Sequence, residues 1–142
     1  MRVQLTKHVH APLEAVYAWS TDYRADDASL TAVHLAGRQI LRREGDVVEM
    51  EDVLILGRPV TVRYIVRLHP PDRWEADGQS RMGSVRNEYR LTSEPGTTRL
   101  DITFDMRPRG VYRVLAPFAR PALRRRLSRL WDDFVRAMET AS

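Results

Sequence analysis

The residues best equipped for chemistry lie on strand-like segments otherwise filled by Val, Leu, Ile and Phe. Tyr64 falls in the alternating set Val62, Tyr64, Val66 and Leu68, and Asn87 and Tyr89 fall in the set Val85, Asn87, Tyr89 and Leu91. A hydroxyl or amide turned into a core needs a hydrogen-bond partner, which an ordinary neighbour or a bound ligand would supply. Asn87 and Tyr89 sit at adjacent levels of one strand face, so both could reach one ligand and orient its carbonyl or hydroxyl. Trp74, just after the Pro70-Pro71-Asp72 turn, is either a pocket wall or a core plug. Asp52 shares its parity with Met50 and Leu54. An inner-face carboxylate there would suit a general base, although a shifted register or an exposed strand end is the favoured reading.

Other chemistries find less support. His8 and His10 share a strand face without an apparent third ligand, so no metal site is expected. His34 is a candidate acid or base near a cavity mouth, and His69 beside Pro70-Pro71 is expected to be exposed. The chain has no Cys, which excludes disulfides, thiolate metal sites and Cys nucleophiles. It has no Gly-rich phosphate loop and no His-Glu-x-x-His, and Ser84 and Ser93 lack evident triad partners, so no cofactor is expected.

The formal charge of +4 is unevenly spread: residues 107–136 carry nine arginines and two acids, leaving the remainder mildly acidic. Of the 23 basic residues only Lys7 is a lysine. Arg124, Arg125, Arg126 and Arg129 admit three readings: a solvated helix face first, an anionic membrane surface or lipid head group second, nucleic acid third. Nucleic acid is not expected as a partner, because no aromatics interleave with the arginines. The chain has no membrane-spanning run and its first residues lack the apolar core of a secretory signal, so a cytoplasmic location is expected.

The elements that must position these residues follow from hydrophobic period. At 142 residues, 43% hydrophobic and 30% charged, the chain suits one domain spanning 1–142. Residues 2–9 alternate as a strand, with Val3, Leu5 and Val9 on one side, and Pro12 opens a short amphipathic helix through Trp19. Residues 22–36 read as a loop with a second short helix. From Arg38 to Arg107 six strands are expected, separated by turns at Glu44-Gly45-Asp46, Gly57-Arg58-Pro59, Pro70-Pro71-Asp72, Gly78 to Gly83, and Glu94 to Thr97. On the last strand Leu100, Ile102, Phe104 and Met106 face inward.

Beyond Pro108 the period becomes helical. Leu123, Leu127, Leu130, Trp131, Phe134 and Met138 form one stripe, with Arg125, Arg126, Arg129 and Arg136 opposite. Trp19 and Trp131 read as core, and Met106 as filler. Val111, Val114, Leu115 and Phe118 point to a different angle, and Pro117 and Pro121 intervene, so a kink or a separate short helix is expected before a main helix of about five turns.

This order, with Ala-Pro-Leu-Glu-Ala-Val-Tyr-Ala-Trp straight after strand one, Asp22 just beyond, and a closing helix after Arg107-Pro108-Arg109-Gly110, resembles the START-like (SRPBCC) helix-grip superfamily, which includes polyketide cyclases, aromatases and lipid-transfer proteins. The resemblance covers essentially the whole chain. It implies an α+β fold in which a curved, seven-stranded antiparallel sheet wraps a long C-terminal helix, with two short helices after strand 1. It further implies a cavity between sheet and helix for a hydrophobic ligand, lined by Met50, Tyr64, Trp74, Asn87, Tyr89, Phe104, Leu123 and Leu127. The expected partner is a hydrophobic small molecule: a lipid, isoprenoid, aromatic or polyketide. Binding alone and cyclase or aromatase chemistry both remain open, as does the oligomeric state.

Overall fold

The computed structural model describes residues 1–24, 35–55 and 58–141. Strand β1 (Arg2–Val9) buries Val3, Leu5 and Val9 on one face, as their alternation requires. Helix α1 (Leu13–Thr21) starts directly after Pro12 and buries Val16, Ser20 and Thr21. Six strands follow: β2 (Leu35–Glu44), β3 (Val47–Ile55), β4 (Pro59–His69), β5 (Arg73–Ser80), β6 (Gly83–Glu94) and β7 (Thr97–Pro108). They join β1 in one seven-stranded antiparallel sheet of order β1-β7-β6-β5-β4-β3-β2. Helix α2 (Tyr112–Ala141) closes the fold.

Turn chemistry sets the hairpins. Gly96, at φ 73°, supplies the left-handed residue between β6 and β7. The turn expected over Gly78 to Gly83 is shorter, because β5 runs on to Ser80 and Gly78 is a strand residue. Its place is steric. Gly78 pairs with Tyr64 across β4 and β5, and a methyl group on it would stand 2.6 Å from Tyr64 Cε1 and 2.8 Å from Val85 Cγ1. The bare backbone lets the Tyr64 ring lie over it.

On the outer face Arg86 gathers two carboxylates from neighbouring β5, Asp77 at 3.0 Å and Glu75 at 2.7 Å, and one from its own strand, Glu88 at 3.2 Å. The inner face is apolar and its register forms rows. One row runs Val3, Phe104, Asn87, Ala76, Val66, Val48 and the next runs Met106, Val85, Gly78, Tyr64, Met50, Ile40.

Helix α2 lies over these rows. Leu127, Trp131, Phe134 and Met138 are buried, each contributing about 1.5–3 kcal/mol of apolar transfer free energy. Polar ties fix the helix: Lys7, on the inner parity of β1, donates to Ser128 Oγ and to Asp132 Oδ1, both at 2.7 Å. Arg120 Nη2 donates to the Arg2 carbonyl at 2.9 Å, and Arg126 Nη1 to the Ile55 carbonyl at 3.2 Å. The expected separate short helix is not formed, since α2 runs unbroken through Pro117 and Pro121. Both prolines are exposed, so the carbonyls they leave without an N–H partner lie on the solvent side. The second short helix expected within 22–36 falls largely on 25–34, outside the described residues.

Candidate functional site

Large side chains give way to small ones along both elements that enclose the core. On the inner face of β5 the residues run Trp74, Ala76, Gly78, Ser80, and toward the N-terminus of α2 they run Phe134, Trp131, Leu127, Leu123 and then alanines. The large ends meet and fill the space. The small ends leave a cavity of about 310 Å³ walled by Val60, Val62, Val85, Met106, Ala116 and Ala119, with Tyr112, Leu123, Phe104 and Leu127 among its other neighbours. For scale, an engineered protein cavity of about 150 Å³ accommodates benzene. Ala119 and Ala122 line it and are also exposed, so it reaches the surface along that edge of α2.

A second cavity of about 70 Å³ lies toward the C-terminal half of α2, lined by Trp19, Tyr23, Arg38, Met50, Asp52, Tyr89, Trp131 and Phe134 among others. Leu54, Tyr64, Asn87, Phe104 and Leu127 border both spaces and form a partition between them.

The partition is where the polar groups converge. Asn87 is 5% exposed, and its Oδ1 is buried without a hydrogen-bond partner among the described residues. Leaving such an acceptor unpaired costs about 1–3 kcal/mol. Burial pushes the Tyr64 phenol well above its ordinary value; Asp52 and Tyr89 add to the rise, while the Asn87 amide and Arg38 oppose it. Burial does the same to Tyr89, against the Asn87 amide and Arg38. Both hydroxyls therefore stay neutral at physiological pH, able to donate or accept a hydrogen bond but not to act as bases.

The smaller cavity holds a buried ion pair. Arg38 Nε donates to Asp52 Oδ1 at 2.8 Å and Nη2 to Oδ2 at 2.9 Å, with the two side chains 8% and 5% exposed. Asp52 is thus on the inner face, correcting the favoured expectation of a register shift or exposed end, and it is neutralised in place by its cross-strand partner. The Arg38 guanidinium also sits 5.3 Å from the ring centre of Tyr23, whose phenol is raised by burial. Arg43 Nη2 reaches the Asp22 and Tyr23 carbonyls, each at 2.6 Å, and so fastens the end of α1 to β2.

Trp74 lines neither cavity. It is fully buried behind Tyr89, stacked at 4.8 Å between ring centres, with Tyr17 edge-on at 5.7 Å. Its Nε1–H is buried and closes no ordinary hydrogen bond among the described residues. Tyr89 continues to Trp131 at 5.4 Å, Trp131 to Phe134 at 5.3 Å and Phe134 to Trp19 at 5.7 Å, an aromatic column that holds Tyr89 in place. Trp19 and Trp131 serve as core and as wall of the smaller cavity, and Met106 lines the larger one.

Of the other sequence candidates, Met50 borders the smaller cavity, Leu123 the larger, and Tyr64, Asn87, Phe104 and Leu127 both. Arg126, expected on the solvent face, is half-buried at the larger cavity. His8 lies outside against Glu94 at 3.3 Å and His69 against Glu75 at 3.5 Å. His34 lies outside the described residues. Among the described residues no group of three His, Asp or Glu could hold a metal ion, and no helix is long and apolar enough to cross a membrane.

Comparison with known structures places this geometry. The crystal structure of TTHA0849 from Thermus thermophilus superposes with a TM-score of 0.88 at 16% identity, covering 100% of this chain and 99% of that one. The Zhui aromatase/cyclase from Streptomyces sp. R1128 gives 0.79 at 18% identity, covering 99% and 92%. A START superfamily protein from Mycobacterium smegmatis gives 0.71 at 16%, covering 99% and 95%. At such identities the likeness speaks for the fold alone. No curated protein matches the sequence significantly. The sequence profile of one family, described as polyketide cyclase / dehydrase and lipid transport, matches residues 1–139. The chain therefore belongs to the polyketide cyclase / dehydrase and lipid transport family.

Proposed function

We propose that the protein binds a hydrophobic small molecule that carries a hydroxyl, its apolar body in the larger cavity and its polar end at the partition. The observation that carries this reading is the buried, unpaired Asn87 Oδ1 beside a space walled mainly by aliphatic side chains. A hydroxyl donating to Oδ1 satisfies the acceptor, and the Tyr64 and Tyr89 hydroxyls stand beside it as neutral partners. Of the eight residues expected to line a ligand site, Trp74 acts by supporting Tyr89.

Calorimetric titration with 1-naphthol and with naphthalene tests the assignment. The wild type is expected to prefer naphthol by about tenfold, and Asn87→Leu to abolish the preference while leaving naphthalene binding intact. Equal binding of both compounds by the wild type would sink the hydroxyl assignment.

The family's cyclases and dehydrases support a second reading, in which the same partition orients a ketone of a reactive chain. Tyr64 and Tyr89 would donate to the carbonyl oxygen, and positioning would supply most of the rate. Turnover of a poly-β-ketone substrate that survives Tyr64→Phe and Tyr89→Phe unchanged would remove these groups from the mechanism.

A further inference from the structure

The N-terminal half of α2 presents an apolar face that the sheet does not cover. Val111, Val114, Leu115 and Phe118 follow the i, i+3, i+4, i+7 spacing of one helix side and are 64%, 68%, 51% and 85% exposed. Water-facing clusters of this kind are uncommon on soluble surfaces and mark contact sites. The charge around the cluster is of one sign: from Met106 to Trp131 the sequence has eight arginines and no Asp or Glu. Arg125 and Arg129 continue the same helix side two and three turns beyond Phe118. Neither forms an ion pair among the described residues. Leu115 belongs to the patch and to the wall of the larger cavity, so the patch adjoins the cavity mouth.

We propose that this face docks α2 onto an anionic lipid surface, the four apolar side chains entering the interface and the arginines lying against lipid phosphates. The pattern is that of an in-plane amphipathic helix, apolar over its first turns and cationic where the same side continues at Arg125 and Arg129. A second copy of the chain fits the face less well, since two-fold pairing would bring the two sets of arginines together without a carboxylate between them. A nucleic acid would match the arginines but leave Phe118 and the valines facing phosphate or water. Docked this way, the cavity mouth lies against the bilayer, whatever molecule the cavity takes.

Flotation with phosphatidylcholine vesicles, with and without about 30% phosphatidylglycerol, tests the proposal at low and high salt. Wild-type protein is expected to co-float with anionic vesicles at low salt and to be released by salt. The paired change V114S/F118S is expected to weaken partitioning by about tenfold, and R125E/R129E to abolish the preference for anionic lipid. All four positions lie outside both cavity linings, so both variants should keep wild-type circular dichroism and naphthol binding. No flotation of the wild type with anionic vesicles, or flotation unaffected by V114S/F118S, would overturn the proposal. Dimerisation that Phe118→Ser abolishes, without vesicle binding, would also overturn it and give the face to a second copy.

Discussion

Replacing Ala116 by Leu discriminates a real void from a filled core by the sign of its effect. Ala116 is half-buried in the wall of the 310 Å³ cavity, where α2 carries alanines in place of the large residues of its other half. The substitution adds three carbons. At about 0.8 kcal/mol per buried methylene their full transfer would stabilise by roughly 2.4 kcal/mol. Partial exposure and the roughly 0.5–1 kcal/mol lost in fixing the Leu rotamer reduce this to about 1 kcal/mol. For a chain of this length that raises Tm by about 3 °C. In a close-packed core the same insertion would destabilise by about 1–3 kcal/mol. Calorimetric unfolding reads the sign, and fluorescence of an apolar dye reads the lost space. A higher Tm together with reduced dye capacity is expected. A Tm lowered by several degrees with undiminished dye binding would refute the reasoning.

Other outcomes follow from the same geometry. Gly78→Ala forces a methyl against the Tyr64 ring and is expected to destabilise by about 1–3 kcal/mol and to alter the near-ultraviolet dichroism of the tyrosines; a change within about 0.5 kcal/mol would mean that the ring yields freely. Arg38→Met leaves Asp52 buried without its partner and is expected to cost about 3–5 kcal/mol in urea unfolding, whereas Arg38→Met with Asp52→Leu should recover most of the loss; a harmless single change would contradict the buried pair. Tyr64 and Tyr89 are raised above the ordinary phenol value of 10.0, so their protonated forms favour the folded state. The stability this gives is complete below about pH 10 and is lost as pH rises beyond it, because the unfolded phenols ionise first. Urea midpoints between pH 8 and 11 should fall less steeply in Tyr64→Phe, and an unchanged slope would contradict the burial of that hydroxyl.

Period alone reveals most of this fold. The inward sets on β4, β6 and β7 alternate cleanly because those strands pair without interruption, so Tyr64, Asn87, Tyr89 and Phe104 could be placed on the core face from sequence. Strand β2 could not be read this way. Its register shifts at Ala36 and again at Leu41, so that Leu35 and Arg38 both face inward although three residues apart. Period two then fails, and the guanidinium that neutralises Asp52 stays hidden. Arg126 was obscured differently: it lies at the border of the α2 stripe, where a wheel cannot tell a solvated cation from one reaching the Ile55 carbonyl.

The candidate site was legible through its polar residues and less so through its emptiness. Trp74 and Tyr89 lie on the same sheet face, and only the stacking shows that Tyr89 stands in front. The missing signal was small size: Ala116, Ala119 and Ala122 on the helix and Ala76 on β5 stand where a full core would carry larger side chains. The apolar stripe of α2 thus fills the concavity at its C-terminal end and leaves it open at the other.

Native mass spectrometry of freshly purified protein, followed by solvent extraction of whatever it carries, tests the central claim most directly. The predicted result is a stoichiometric apolar guest bearing a hydroxyl, or uptake of one equivalent of 1-naphthol that Ala116→Leu diminishes and Asn87→Leu weakens. Protein that is consistently empty and takes up neither naphthol nor an apolar dye would contradict it.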